Sequence, residues 1–198
     1  MKLLSLSTLK DHSAYLSKPC MLALEGNAYC ANCKTRWPHA EGRSFDIDLD
    51  PEDFSKRWHV KPLNVGPMIV VRRAHFEVLR RDVAEALRLP TDFYLGSVSI
   101  GGVPCDTYVS CVGGPETRIT IRSDKVGSGS GCCKVCKRPG SGYLYSDSSW
   151  VLASDLGERQ IVSGDVGRTI YVTEARFAEI PARLKKELRV TEIGIRDA

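Results

Sequence analysis

The chain has 198 residues, of which 42% are hydrophobic and 26% charged, an ordinary globular composition that excludes collagen-like, mucin-like and disordered classes. A chain of this length buries about 70% of the surface it exposes when unfolded, so its eight cysteines need a reason other than a poor core. Lys and Arg total 28 against 24 Asp and Glu, a formal charge of +4, spread evenly over both halves, which argues against a dedicated nucleic-acid domain.

The N-terminal stretch Leu3 to Leu9 is broken by serines and Thr8 and stopped by Lys10 and Asp11, short of a signal-peptide core with a cleavage site. Cys20 follows Ser17, Lys18 and Pro19, unlike a lipoprotein signal. The longest uncharged run, Phe93 to Cys105, is 13 residues, too short to cross a bilayer. A cytoplasmic protein without membrane contact is expected, and there cysteines stay reduced and favour metal ligation over disulfides.

From Arg43 to Leu49, Phe45, Ile47 and Leu49 alternate with Ser44, Asp46 and Asp48, predicting a half-buried strand. Asp50 then caps a short helix that has Pro51 at its first position and Glu52 and Asp53 in its first turn, ending near Trp58. Phe76, Leu79, Val83 and Leu87 fall at steps of three and four, predicting an amphipathic helix over Ala74 to Leu89 that Pro90 stops. Strands follow at Leu95 to Ile100, Thr107 to Val112 and Arg118 to Arg122 as an antiparallel meander. Gly127 to Gly131 reads as a flexible join.

Arg168 to Val172 reads as a strand, Thr173 as an N-cap, and Phe177, Ile180, Leu184 and Leu188 as one helical stripe containing Pro181. A last strand is expected over Arg189 to Ile195. No internal repeat is visible beyond two short cysteine motifs, so a repeat architecture is not expected.

Those motifs are Cys30-Ala-Asn-Cys33 and Cys133-Lys-Val-Cys136. Two thiolates at this spacing take adjacent corners of a tetrahedral zinc, and two such knuckles complete a structural four-cysteine site. Between Cys33 and Cys133 lie 99 residues, against roughly 15 to 20 in a compact ribbon, so the site requires a domain-sized insertion. Cys132 with Cys136 also fits a knuckle, with three intervening residues; Cys133 is preferred because it matches the spacing of the first pair, although the sequence does not decide between them. A redox role is disfavoured because no helix start follows either pair. Cys20, Cys105 and Cys111 read as small core residues, and His39 as a loop residue.

No nucleophile elbow, zincin helix, Walker loop or dinucleotide fingerprint occurs. Arg72, Arg73, Arg80 and Arg81, with Lys134, Lys137 and Arg138, are candidate phosphate contacts. Asp46, Asp48, Asp50, Glu52 and Asp53 form an acidic strip, a candidate partner-binding surface, with the strand placing Asp46 and Asp48 on one outward face.

The order of features is Cys30, Cys33 and Trp37, a strand ending in Asp48-Leu49, a long middle region, Cys133 and Cys136, a segment ending in Asp155-Leu156, then strand-Thr-helix-strand from Thr169. This resembles the double-CXXCG-motif family of bacterial immunity proteins over about residues 28 to 195. The family's glycine after each motif is replaced by Lys34 and Lys137. The resemblance implies a non-enzymatic protein that neutralises a cognate toxin by direct contact, with structural Zn2+ on Cys30, Cys33, Cys133 and Cys136. A zinc-ribbon nucleic-acid-binding protein is the alternative.

The expected fold is α+β within a single domain over 1–198. Zinc-ribbon halves are expected at about 26–50 and 130–146, a large α+β insertion at about 51–129, and a C-terminal strand-helix-strand segment at about 147–198.

Overall fold

Two mixed sheets account for most of the regular structure in the computed structural model, which describes residues 2–8, 13–20, 46–52, 66–71, 77–123, 149–164 and 170–197. In chain order the strands are β1 (Leu3–Thr8), β2 (Ser13–Ala14), β3 (Ile47–Leu49), β4 (Met68–Val71), β5 (Glu77–Arg80), β6 (Phe93–Ile100) and β7 (Val103–Gly113). They continue with β8 (Arg118–Ile119), β9 (Arg122–Ser123), β10 (Ser149–Leu152), β11 (Ile161–Gly164), β12 (Ile170–Thr173) and β13 (Leu188–Arg196). Four α-helices lie wholly within the described residues, α1 (Arg81–Leu87), α2 (Ala153–Leu156), α3 (Glu174–Ala178) and α4 (Ala182–Lys185), with a 3-10 turn at Pro115–Thr117 and helical residues at 18–20 and 51–52. The protein is therefore α+β, as its sequence indicates.

The first sheet has the order β2-β4-β5-β7-β6-β3, and its two ends meet. β2 pairs with β4, and the same run of chain continues to a bridge between Leu16 and Leu49 of β3. Ser17 N–H donates to Asp48 O at 2.8 Å, and Asp50 N–H to Tyr15 O at 2.9 Å. The sheet is thus a closed barrel, which removes the exposed edges that open sheets must protect.

The second sheet closes in the same way. Its order is β8-β11-β12-β1-β13-β10-β9, and its terminal members β8 and β9 are the two halves of one run, residues 118–123. The first half pairs parallel with β11 and the second antiparallel with β10.

The two barrels have one topology and one register. Around barrel I the ring runs residues 13–17, β4, β5, β7, β6, β3; around barrel II it runs residues 118–123, β11, β12, β1, β13, β10. Pairs Met68↔Leu79, Ile69↔Val78 and Val70↔Glu77 match Ile161↔Val172, Val162↔Tyr171 and Ser163↔Ile170. Pairs Asp48↔Ser99 and Leu49↔Ile100 match Trp150↔Gly194 and Val151↔Ile195. Pairs Val78↔Ser110, Leu79↔Val109 and Arg80↔Tyr108 match Tyr171↔Ser5, Val172↔Leu4 and Thr173↔Leu3.

A helix follows directly on the equivalent strands β5 and β12. The chain is therefore two copies of one barrel, with β1 supplying barrel II with the strand that β7 supplies in barrel I. The expectation of no repeat is overturned, because the copies share pairing geometry rather than residue identity.

Three cores follow. Ala14, Leu16, Leu49, Ile69, Val78, Val98 and Tyr108 fill barrel I. Their equivalents Ile119, Val151, Val162, Tyr171, Ile193 and Leu3 fill barrel II, with Ile121 packed against them. Between the barrels lie Met68, Leu79, Val109, Cys111 and Phe93 from one copy and Ile161, Val172, Leu4, Leu6 and Leu188 from the other, with Val83, Leu87, Ile180 and Leu184 from or beside the helices. Strands β5 and β12, residues 3–6 of β1 and the second half of β7 are buried on both faces, the pattern of interior strands.

This double burial explains the corrections. Glu77–Arg80, expected as part of a helix over Ala74 to Leu89, is strand β5, and among the described residues of that stretch only Arg81–Leu87 is helical. Val78 faces barrel I, Leu79 the inter-barrel core, and consecutive apolar residues mimic helical spacing. Arg88 ends α1 with φ of 46°, two residues before Pro90. The expected three-strand meander holds for β6 and β7, joined through Gly101-Gly102, but residues 118–123 belong to barrel II. The stretch 51–129 is accordingly not one insertion: β4 to β7 complete barrel I, and residues 118–123 begin barrel II. The stripe through Pro181 is split into α3 and α4, Thr173 Oγ1 accepting from Arg176 N–H at 3.3 Å as the N-cap. In the C-terminal strand-helix-strand segment, β12 and β13 do not pair, because β1 lies between them.

Candidate functional site

The strand β3 turns Ile47 and Leu49 into barrel I and leaves Asp46, Asp48 and Asp50 outside, so the acidic strip forms as its alternation requires. Its carboxylates are engaged locally. Asp46 Oδ1 accepts from Ser97 N–H at 2.7 Å and from Ser97 Oγ at 2.8 Å. Asp48 Oδ1 accepts from Ser99 Oγ at 2.7 Å and from Gly102 N–H at 2.9 Å. Asp50 Oδ1 accepts from Glu52 N–H at 2.9 Å, the helix-capping contact expected of it. Partial burial pushes the Asp48 carboxyl up, but hydrogen bonds from Ser17, Gly102 and Ser99 outweigh it and hold the group below the usual range. The strip clamps β3 to β6 as well as carrying charge, a role that sequence alone does not disclose. Asp53 lies outside the described residues.

The equivalent corner of barrel II is built differently. Trp150 stands where barrel I has Asp48, Arg122 where it has Ser17, Gly194 where it has Ser99, and Arg196 where it has Gly101. The guanidinium carbons of Arg122 and Arg196 lie over the Trp150 indole, 5.5 and 4.5 Å from the ring centroid, within cation–π range. Arg122 Nη1 also donates to Asp155 Oδ2 at 2.6 Å. Trp150 is half-buried and Arg196 exposed. These residues are far apart in the sequence, and no motif joins them.

The basic candidates divide. Arg80 donates to Glu187 and to Asp82, and Arg81 Nε to Asp106 O at 2.9 Å. Arg80 therefore does not present a phosphate contact, since its fork is occupied by two carboxylates. Arg72, Arg73, Lys134, Lys137 and Arg138 lie outside the described residues. Arg176, buried, donates Nε and Nη2 to Leu87 O at 3.0 and 2.6 Å and Nη1 to Glu179, tying α3 to the end of α1.

Cys30, Cys33, Cys132, Cys133 and Cys136 also lie outside the described residues. Among the described residues no group of three or more His, Cys, Asp or Glu side chains is placed to hold a metal ion. Cys111 is buried and its thiol is pushed well up by burial, with the nearby Glu77 charge adding to it, which makes it inert. Cys20 and Cys105 are half-buried against the barrel I core. Among the described residues no helix is long and apolar enough to cross a membrane.

Comparisons with protein-family models, with curated proteins and with solved structures find no match to this chain.

Proposed function

We propose that this chain is an immunity-type binding protein of the bacterial cytoplasm that neutralises a cognate toxin by direct contact. Cys30, Cys33, Cys133 and Cys136 hold a structural zinc as a zinc-ribbon-like element. The observation that carries the zinc is an interval. Paired strand positions before the two CxxC motifs repeat after 105 residues, Ser13 to Arg118, and those after them at 102, Leu49 to Val151. The motifs themselves repeat at 103, Cys30 to Cys133.

Each pair thus falls in the connection between the first and second strands of its barrel. The long separation is what duplication of one knuckle produces, and it needs no inserted domain. The match of Cys30 with Cys133 and Cys33 with Cys136 supports Cys133 over Cys132. A structural zinc contributes about 10 to 16 kcal/mol in apparent terms, while closing a long loop costs entropy that grows only logarithmically.

An immunity role needs a complementary surface rather than a catalytic constellation, and the order of motifs resembling the double-CXXCG family supports it. The test is metal content of protein purified without added metal, alongside Cys133→Ser, and co-expression with the candidate toxin encoded beside the gene. Stoichiometric zinc that is lost with stability in the variant, and relief of toxicity by the wild type, are expected. Free thiols without metal overturn the zinc. A metal-loaded chain that gives no protection and instead binds DNA with steep salt dependence replaces the immunity reading with nucleic-acid binding.

A further inference from the structure

The internal repeat runs in step through the connections that cross between the barrels. Leu3, Leu4 and Ser5 of β1 correspond to Tyr108, Val109 and Ser110 of β7, and Ser13 and Ala14 to Arg118 and Ile119, all at an interval of 105 residues. Four residues lie between Thr8 and Ser13, and four between Gly113 and Arg118. The repeating unit therefore begins at β1 and again at β7, and Gly101-Gly102 joins one unit to the next. Each leading strand lies in the barrel of the other unit, β1 between β12 and β13 and β7 between β5 and β6. Residues 3–6 and 108–111 are all buried.

Barrel II is thus incomplete without β1, which reaches it from the barrel I side. Leu4 and Leu6 lie in the core between the barrels, so β1 moves together with barrel I. The contacts across this seam are non-covalent: the ladders of β1 with β12 and β13, the inter-barrel core, the Arg80–Glu187 pair and the bonds from Arg176 to Leu87 O. The direct link from β7 to β8 is residues 114–117, a 3-10 turn held by Gly114 N–H to Asp92 O and by Thr117 Oγ1 to Gly114 O, each at 2.8 Å.

We propose that two copies of this chain exchange halves about residues 114–117, each barrel II taking β1 and its packing face from the barrel I of the other molecule. The partner that this surface fits is a second copy of the chain, because that copy offers the same strand and the same faces. The leading strands already cross between units within one chain, and short connections invite the same crossing between chains. Closed monomer and exchanged dimer share every seam contact. They differ in the turn at 114–117 and in the freedom lost on association, so concentration decides between them. The exchange is independent of the immunity reading.

The test mixes the full chain at natural abundance with the same chain labelled with 15N, unfolds both and refolds them together over a concentration series. The series ends near about 1 mM, the order of the effective concentration that a short tether provides. Mass is read by light scattering after size exclusion. A carbodiimide then couples Lys2 Nζ to Glu192, which lie 2.9 Å apart across β1 and β13, and mass spectrometry separates links within a molecule from light–heavy links. A dimer is expected whose share rises to about half near the top of the series and which carries light–heavy Lys2–Glu192 links. Deleting Pro115 and Glu116 is expected to lower the concentration at half dimer about ten-fold or more, and a glycine-serine insertion after Pro115 to return the chain to monomer. A dimer linked only within molecules has another interface and overturns the proposal. A shortened variant that melts cooperatively as a monomer also overturns it. Where that variant does not fold, the wild-type series decides, and no light–heavy link at its top overturns the proposal.

Discussion

Arg80 grips both carboxylate oxygens of Glu187, with Nη1 to Oε2 at 2.8 Å and Nη2 to Oε1 at 2.9 Å, across 107 positions of sequence. Arg80 ends strand β5 of barrel I, and Glu187 precedes strand β13 of barrel II, so the pair ties one barrel to the other beside their shared core. Asp82 binds the same guanidinium through Nε at 2.7 Å, and Arg183 lies 3.7 Å from Asp82. Bidentate geometry and a partly buried guanidinium distinguish this network from an ordinary surface ion pair.

Removing the acid weakens this tie. Glu187→Gln is expected to destabilise by about 1 kcal/mol, a charged hydrogen bond discounted for the exposure of the carboxylate, measured by urea denaturation at neutral pH. The hydrogen bonds and charge of Arg80 hold the Glu187 carboxyl below its usual range against the opposing effect of burial. A depressed folded-state value means that the contribution is present above the unfolded pKa, near about 4.3, and is lost as pH falls through the folded one. The wild type therefore loses this increment on acidification below that range, and Glu187→Gln narrows its gap to the wild type there. A gap independent of pH would show that the pair adds no charge-dependent stability.

Asp48 makes a second, separable prediction. Because its carboxylate accepts from Ser99 and Gly102, Asp48→Asn is expected to cost about 1 to 2 kcal/mol and to destabilise the parallel pairing of β3 with β6. Its folded-state pKa is also depressed, so this increment too is present above the unfolded value and lost at acid pH. Hydrogen exchange at Ser99 and Gly102 is the readout. Unchanged protection there would mean that Asp48 only carries charge.

The legibility of this chain follows burial. Where one face meets water the sequence is readable: Ile47 and Leu49 against Asp46 and Asp48 give β3, and Thr173 gives the N-cap of α3. Where a strand is wedged between two cores it is not. Val78 and Leu79 feed different cores from adjacent positions, and Leu3, Leu4 and Leu6 of β1 carry the same double duty with only serines between or beside them. The duplication is hidden for a related reason. Equivalent positions must conserve total core volume rather than identity, so Val78 corresponds to Tyr171 and Tyr108 to Leu3. The acidic strip was visible as charge but not as a clamp, since Ser97, Ser99 and Gly102 lie about fifty positions away.

Volume exchange between the copies is itself testable. In barrel II the Tyr171 ring occupies space that Gly164 leaves open: a Cβ on Gly164 would meet Tyr171 Cε2 at 2.9 Å and Ile121 Cγ1 at 3.3 Å. Barrel I has Val71 and Val78 at these positions and carries its large ring at Tyr108 instead. Gly164→Val alone is expected to cost about 2 to 3 kcal/mol by overpacking, and Tyr171→Val alone about 3 kcal/mol through the cavity it leaves. Together they should cost at least about 1 kcal/mol less than their sum, and adding Leu3→Tyr should recover more. Strict additivity in denaturant titrations would mean that the two barrels are not packed on one plan.

The position of β1 leads to the last prediction. It pairs with β13 from Leu3↔Ile193 to Thr8↔Leu188 and with β12 from Leu3↔Thr173 to Ser5↔Tyr171, completing barrel II from the opposite end of the sequence. Lys2 Nζ reaches Glu192 Oε2 at 2.9 Å, which places the start of β1 beside the last residues of β13. In barrel I the corresponding strands β6 and β7 are joined by the tight turn at Gly101-Gly102. A circular permutant that links Asp197 to Lys2 through a short glycine linker and opens the chain between Pro115 and Glu116 restores that connection in barrel II. It makes each barrel contiguous while leaving every strand pair in place. The permutant is expected to unfold cooperatively, with a thermal midpoint within about 5 °C of the parent, since no core residue or ladder hydrogen bond is removed. Two well-separated transitions would show that barrel-to-barrel coupling depends on the original connection between β7 and β8. Failure to fold would show that β1 is not an exchangeable sixth strand, and the equivalence of the two copies would fall with it.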